Sequence, residues 1–201
     1  MKVKIIFLKN ANWTIFIFVF LILITISAKS QTSFSLPSGY HTFKDGMGNE
    51  CRTDGDFDGD GVTDLAIVCA DNEDVKIVVV YLASKWLVDK IYWWFPWNYS
   101  SNKLSFSNNV LKIDSDDDYD FIILKLKYYS NLKNMKLIGY SRTYYMRHPT
   151  TFVGSNSINL STGEYSVNGG ANKKIDITTI TLSDIEKYFD YLSKVGGVFG
   201  E

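Results

Sequence analysis

Asp56-Phe57-Asp58-Gly59-Asp60-Gly61-Val62-Thr63-Asp64 is the stretch whose residue types and spacing point to a definite chemistry. It reads D-x-D-x-D-G-x-x-D. Four carboxylates packed this closely repel one another unless a cation lies among them. Calcium takes six to eight oxygens at about 2.3–2.6 Å. In such a loop the first, third and fifth side chains, Asp56, Asp58 and Asp60, turn inward. Gly61 allows the sharp turn that follows. Val62 offers its carbonyl, and Asp64 closes the set. Magnesium fits less well, because it keeps its waters and demands a smaller octahedron. The alternative reading is a solvated acidic turn that binds nothing.

The residues after the loop separate it from the commonest calcium motif. An EF-hand needs a bidentate Glu at its twelfth position and a helix beyond. Here that position is Ile67, inside the apolar run Leu65-Ala66-Ile67-Val68-Cys69-Ala70. The loop therefore leads into a strand. The segment from Gly55 to Ala66 resembles the calcium loop of FG-GAP/VCBS repeats, the units of integrin-α-like β-propellers. The resemblance implies Ca2+ held by Asp56, Asp58, Asp60, the Val62 carbonyl and Asp64. Leu36 to Tyr40, Met135 to Tyr140 and Ser157 to Gly163 add a weaker resemblance to small secreted bacterial proteins with a single such loop. Only one repeat is clear, whereas a closed propeller needs about four or more four-stranded blades. The expected fold is mainly β: antiparallel sheets in a partial β-propeller-like or sandwich-like arrangement, with one C-terminal helix.

The elements that would hold the loop are strand after strand. Runs rich in Ile, Val, Tyr, Phe and Trp predict strands near 64–70, 75–83, 86–95, 103–107, 109–114, 120–129, 135–144, 151–160, 163–168 and 174–180. Ile122 to Tyr128 shows the alternation of a half-exposed strand in its second half. Asn108-Asn109, Ser130-Asn131 and Ser161-Thr162-Gly163 are turn signals. Ser183-Asp184-Ile185-Glu186 matches a capping box. Ile185, Tyr188, Phe189 and Leu192 then follow at helical spacing, and Gly196-Gly197 ends the helix.

The N-terminus reads as a targeting segment. Lys2, Lys4 and Lys9 precede an apolar run of about 12 residues, Ile15 to Ile26, and Ala28-Lys29-Ser30 supplies the small residues of a cleavage site. The run is shorter than the roughly 20 residues that span a bilayer. Residues 1–30 are therefore expected to be a signal peptide and 31–201 one calcium-binding β-domain, secreted or periplasmic. A retained membrane anchor is the rival reading. Removal of 1–30 takes four lysines and no acid from 21 basic and 22 acidic side chains, leaving a net charge of about −5. That argues against a nucleic-acid partner. Cys51 and Cys69 flank the acidic loop. Either they pair in an oxidising compartment, or Cys69 is simply a small apolar core residue.

Other stretches carry residue types that can form sites. The aromatic run around Trp93, Trp94, Trp97 and Tyr99 is a candidate ligand surface, against ordinary sheet packing. Asp114 to Asp120 begins 58 residues after Asp56. It has Tyr119 where the turn glycine belongs, so an acidic hairpin connection is the default. His41 and His148 have no ligand spacing to a partner, and no G-x-S-x-G turn is present. No catalytic residues are assigned, and an enzyme is not expected. The function expected is a binding module for a protein or glycan at the cell envelope. An envelope inhibitor or immunity-type protein is the alternative, and a hydrolase a more distant one.

Overall fold

Strand Asp64–Ala70 (β3) is buried along its whole length, and the rest of the fold is built around it. The computed structural model describes residues 34–84, 88–91, 101–116, 119–146, 151–176 and 179–197. The expected signal segment lies outside them, as do Trp93, Trp94, Trp97, Tyr99 and His148. Residues Phe34–Glu201 form one compact unit. It is mainly β, with antiparallel sheets and one C-terminal helix.

The first sheet has five strands. His41–Thr42 (β1) and Arg52–Gly55 (β2) pair with the same side of β3, Lys76–Ala83 (β4) pairs with the other side, and Val88–Ile91 (β5) follows β4. The near-continuous apolar sequence of β3 and β4 follows from this position. Both strands have apolar neighbours on both faces, and strands covered on both faces have no solvent side to populate with polar residues. On one face Leu65, Ile67, Cys69, Ile77, Val79 and Tyr81 form a small core against Phe34, Leu36 and Tyr40. The Tyr81 hydroxyl donates to the Ser35 carbonyl at 2.7 Å, which pins this leader to the sheet.

The opposite face carries Ala66, Val68, Val78, Val80 and Leu82 into the main core. That core is completed by the second sheet, a seven-stranded antiparallel meander. Its strands are Ser101–Ser107 (β6), Val110–Asp116 (β7), Asp120–Tyr129 (β8), Asn134–Met146 (β9), Thr151–Asn159 (β10), Glu164–Val167 (β11) and Lys173–Lys174 (β12). Here the alternation is clean: Leu111 and Ile113, then Ile122, Leu124 and Leu126, point into the core and are fully buried. Two sheets sharing one core is a sandwich-like arrangement. Neither sheet closes on itself among the described residues.

Local chemistry sets the turns. Ser107 pairs with Val110 across Asn108 and Asn109, both at positive φ (51° and 58°). This is the two-residue hairpin that asparagine tolerates best after glycine. Lys125 and Leu126 on β8 pair with Gly139 and Leu137, so Ile138 is extra and the register shifts there.

The helix, Ile185–Lys194 (α1), follows a single 3-10 turn, Leu182–Asp184. Ser183 and Glu186 do not form the expected capping box: no side chain caps the helix, and the Thr181 hydroxyl instead meets Ser183 and Asp184. Ile185 and Leu192 are buried, with Tyr188 and Phe189 partly so. The far end is fastened to the large sheet. Asn156 on β10 donates its amide to the carbonyls of Leu192, Ser193 and Val195 at 3.0–3.3 Å. Those are carbonyls a helix end otherwise leaves without partners.

Cys51 and Cys69 do not pair. Cys51 lies opposite Val68, whose N–H donates to the Cys51 carbonyl at 2.9 Å. The Cys51 side chain therefore joins the main core and that of Cys69 the small one, on opposite faces of the first sheet. Both remain thiols, and burial pushes each up to about 11. At that value they are poor nucleophiles.

Candidate metal centre

The acidic loop is the tip of the β2–β3 hairpin, running from Gly55, which pairs with Asp64, back to that same residue. Two glycines give it its shape. Gly59 and Gly61 sit at φ +83° and +84°, where a side chain is strained. Sequence reasoning identified Gly61 and missed Gly59.

Each aspartate is first oriented by its own backbone. Asp56 accepts from the N–H groups of Gly59 (2.8 Å) and Gly61 (2.9 Å), one on each oxygen. Asp58 accepts from Asp60 N–H at 3.0 Å, and Asp60 from Val62 N–H at 2.7 Å. Asp64 differs in kind. It is 0% exposed. One oxygen accepts from Phe57 N–H at 2.6 Å and the other from Ala83 N–H at 2.7 Å. It therefore ties the start of the loop to the end of β4. No sequence signal marks the Ala83 amide, since it is a backbone group on another strand.

These contacts bring Asp56, Asp58 and Asp64 together, with one oxygen from each lying within 4.8 Å of the others. Two oxygens on opposite sides of one calcium at about 2.4 Å would stand about 4.8 Å apart. The three therefore fit one coordination sphere. A carboxylate oxygen has two lone pairs, so the hydrogen bonds leave each with capacity for a cation. The donors are all hard oxygens, which suits calcium rather than a thiophilic metal. Asp60 lies outside this triad, its carboxylate turned to Val62 N–H.

The electrostatics carry the same sense. Burial pushes Asp64 up to about 6, against the pull of its two backbone donors and with a smaller push from Asp58. Burial also raises Asp58, and Asp60 and Asp56 raise it further. Two carboxylates that resist ionisation beside one another are what a divalent ion reverses.

Aromatic packing fixes the loop from beneath. Phe57, 3% exposed, meets Phe106 of β6 with ring centroids 4.7 Å apart. Phe106 also lies over Gly55, where a Cβ would run into its ring. Gly55→Ala should therefore displace Phe106 and lower stability by about 1–3 kcal/mol, read as a lower denaturant midpoint at unchanged m-value.

The other candidates fall elsewhere. Asp114 to Asp116 end β7 and Asp120 opens β8, so the run lies where two antiparallel neighbours meet, as expected for a hairpin. Lys112 Nζ lies 2.8 Å from Asp114, and Arg142 makes a two-pronged pair with Asp120 at 2.8 Å. His41 is on β1, far along β3 from the loop. Comparison with protein-family models, curated proteins and solved structures gave no match.

Proposed function

We propose that the chain is a secreted or periplasmic calcium-binding β-domain that acts as a binding module for a protein or glycan at the cell envelope. Calcium has a structural role in this reading. The observation that carries it is Asp64, a carboxylate shut away from water beside two others. A buried charge is costly unless it is paired, and a divalent ion is the partner the geometry admits. Asp56, Asp58 and Asp64 would hold the ion. Asp60 and the Val62 carbonyl complete the set implied by the FG-GAP/VCBS resemblance. Bound calcium supplies positive charge that fixes the hairpin tip and the start of β3. The basic and apolar succession of residues 1–30 supports export, and no catalytic residue is assigned.

The test is a melting curve in calcium and in chelator. Extracellular modules bind calcium at about 10⁻⁴–10⁻³ M, so 10 mM calcium should contribute about 1.5–3 kcal/mol. For a domain of this size that raises the melting temperature by roughly 3–10 °C. Asp58→Asn should abolish the rise, and Asp60→Asn should leave more of it. Identical curves in calcium and chelator would overturn the reading.

A further inference from the structure

We propose that the outer face of the seven-stranded sheet binds an acidic glycan. This deepens the binding-module reading, rests on it, and names its ligand class.

The face is defined by the alternation that buries Leu124 and Leu126 and turns Lys125 and Lys127 outward. Lys112 lies directly opposite Lys125, and Lys127 directly opposite Lys136. Four lysines thus occupy three adjacent strands, their backbone positions about 4.8 Å apart across strands and about 6.8 Å apart along β8. Like charges set directly opposite one another are destabilising. Two other cations of the sheet are paired: Arg142 with Asp120, and Lys174 with Glu164 at 2.9 Å. In the cluster only Lys112 has an acid, Asp114. Lys136 lies over the Tyr129 ring at 5.5 Å, and Lys125 and Lys127 are exposed with no acidic partner among the described residues. Asp114 and Asp116 share the outer face at the end of β7, yet Lys125 and Lys127 are left without an acid of their own. An anion supplied from outside completes the pattern.

The rest of the same face favours a sugar polymer over a bare polyanion. Next to the lysines, Ser141 pairs with Ser157, and Thr143 with Ser155, in a hydroxyl-bearing field that is not buried. Beyond it lie three rings in edge contact. Phe121 meets Tyr145 at 6.0 Å, and Tyr145 meets Phe152 at 5.7 Å. Phe152 is 47% exposed. Lysines for acidic groups, hydroxyls for hydroxyls and an exposed ring for a sugar face are laid out in that order. From Lys127 to Phe121 along β8 the distance is about 20 Å. That length suits a chain of several sugars.

The test is affinity electrophoresis and calorimetry of the full chain against heparin and alginate, with neutral dextran, inorganic polyphosphate and vesicles of 70% phosphatidylcholine and 30% phosphatidylglycerol as the other arms. Runs in chelator separate this face from the calcium loop, so failure of either claim is read independently. The expected result is binding to heparin or alginate that weakens with salt, and none to dextran. The double variant Lys125→Glu/Lys127→Glu should lose at least roughly tenfold in affinity, and Phe152→Ser several-fold. Both change exposed side chains, and an unaltered melting curve confirms their fold. Equal binding to polyphosphate with no effect of Phe152→Ser would overturn the glycan assignment. So would binding to the vesicles alone, or no binding to either acidic glycan.

Discussion

In 10 mM calcium, Asp64→Ala is expected to destabilise the domain by about 3–5 kcal/mol, lowering the melting temperature by at least roughly 6 °C. Two losses combine. The N–H groups of Phe57 and Ala83 both aim at this carboxylate inside the protein. A buried donor left without an acceptor costs about 1–3 kcal/mol. The substitution also removes the innermost member of the triad, so the calcium contribution goes with it. Asp64→Asn separates the two losses: its one carbonyl oxygen keeps one acceptor, and its amide nitrogen turns a donor toward a donor. It should fall between Asp64→Ala and the native protein in stability, yet respond to calcium as poorly as Asp64→Ala. In chelator near neutral pH the Asp64→Ala penalty should shrink, because removing the carboxylate also removes its own cost of burial. A variant as stable as the native chain in calcium, with an intact calcium response, would remove Asp64 from the site.

How much of this was legible in the sequence depended on whether a local pattern or a distant register decided the outcome. Strand β3 stands where the apolar run predicted it, and β8 likewise spans Asp120–Tyr129. Both carry strong hydrophobic periodicity or a continuous apolar run. Asn108-Asn109 gave its turn away for an equally local reason. By contrast β2, with the sequence Arg-Thr-Asp-Gly, has no apolar pattern at all. It is a strand because β3 offers it backbone partners. Of the strand expected over 174–180, the described residues keep only the end of Lys173–Lys174, which pairs β11, with the Ile180 carbonyl accepting from Leu137 N–H further on. The capping box failed nearby. Thr181 is still bridged to Lys136 of β9, so the chain tightens into a 3-10 turn before the helix can begin.

The site divides along the same line. The acids, Gly61 and the strand that follows were readable because they lie within a dozen residues of one another. The Ala83 amide was not, since it arrives from the end of β4, where the β4–β5 register shifts. The cysteines failed for the reason that makes strands hard to read. Cys51 sits across from Val68 rather than Cys69, and one residue of register exchanges the faces of a sheet.

The second large effect is a pH dependence that calcium cancels. Without the ion, burial raises Asp64 from an ordinary value of 3.8 to about 6. The folded protein then holds a proton that the unfolded chain releases, so this group favours folding below pH 4. That advantage is lost as pH rises through about 6. A shift of about two units corresponds to about 3 kcal/mol between those limits. In chelator, the native protein should therefore lose stability from pH 4 to pH 7 relative to Asp64→Asn, which cannot titrate there. Subtracting the two melting curves cancels the other carboxylates. In calcium that loss should be offset. The ion favours the ionised carboxylate and a proton competes with it, so the contribution of about 1.5–3 kcal/mol from 10 mM calcium near neutral pH should remove most of the fall over the same window. Calcium affinity should fall correspondingly below pH 6 in a calorimetric titration. A difference curve that is flat in chelator would show that the Asp64 carboxylate pays no burial cost, and the strongest physical reason for a cation at this hairpin would be gone.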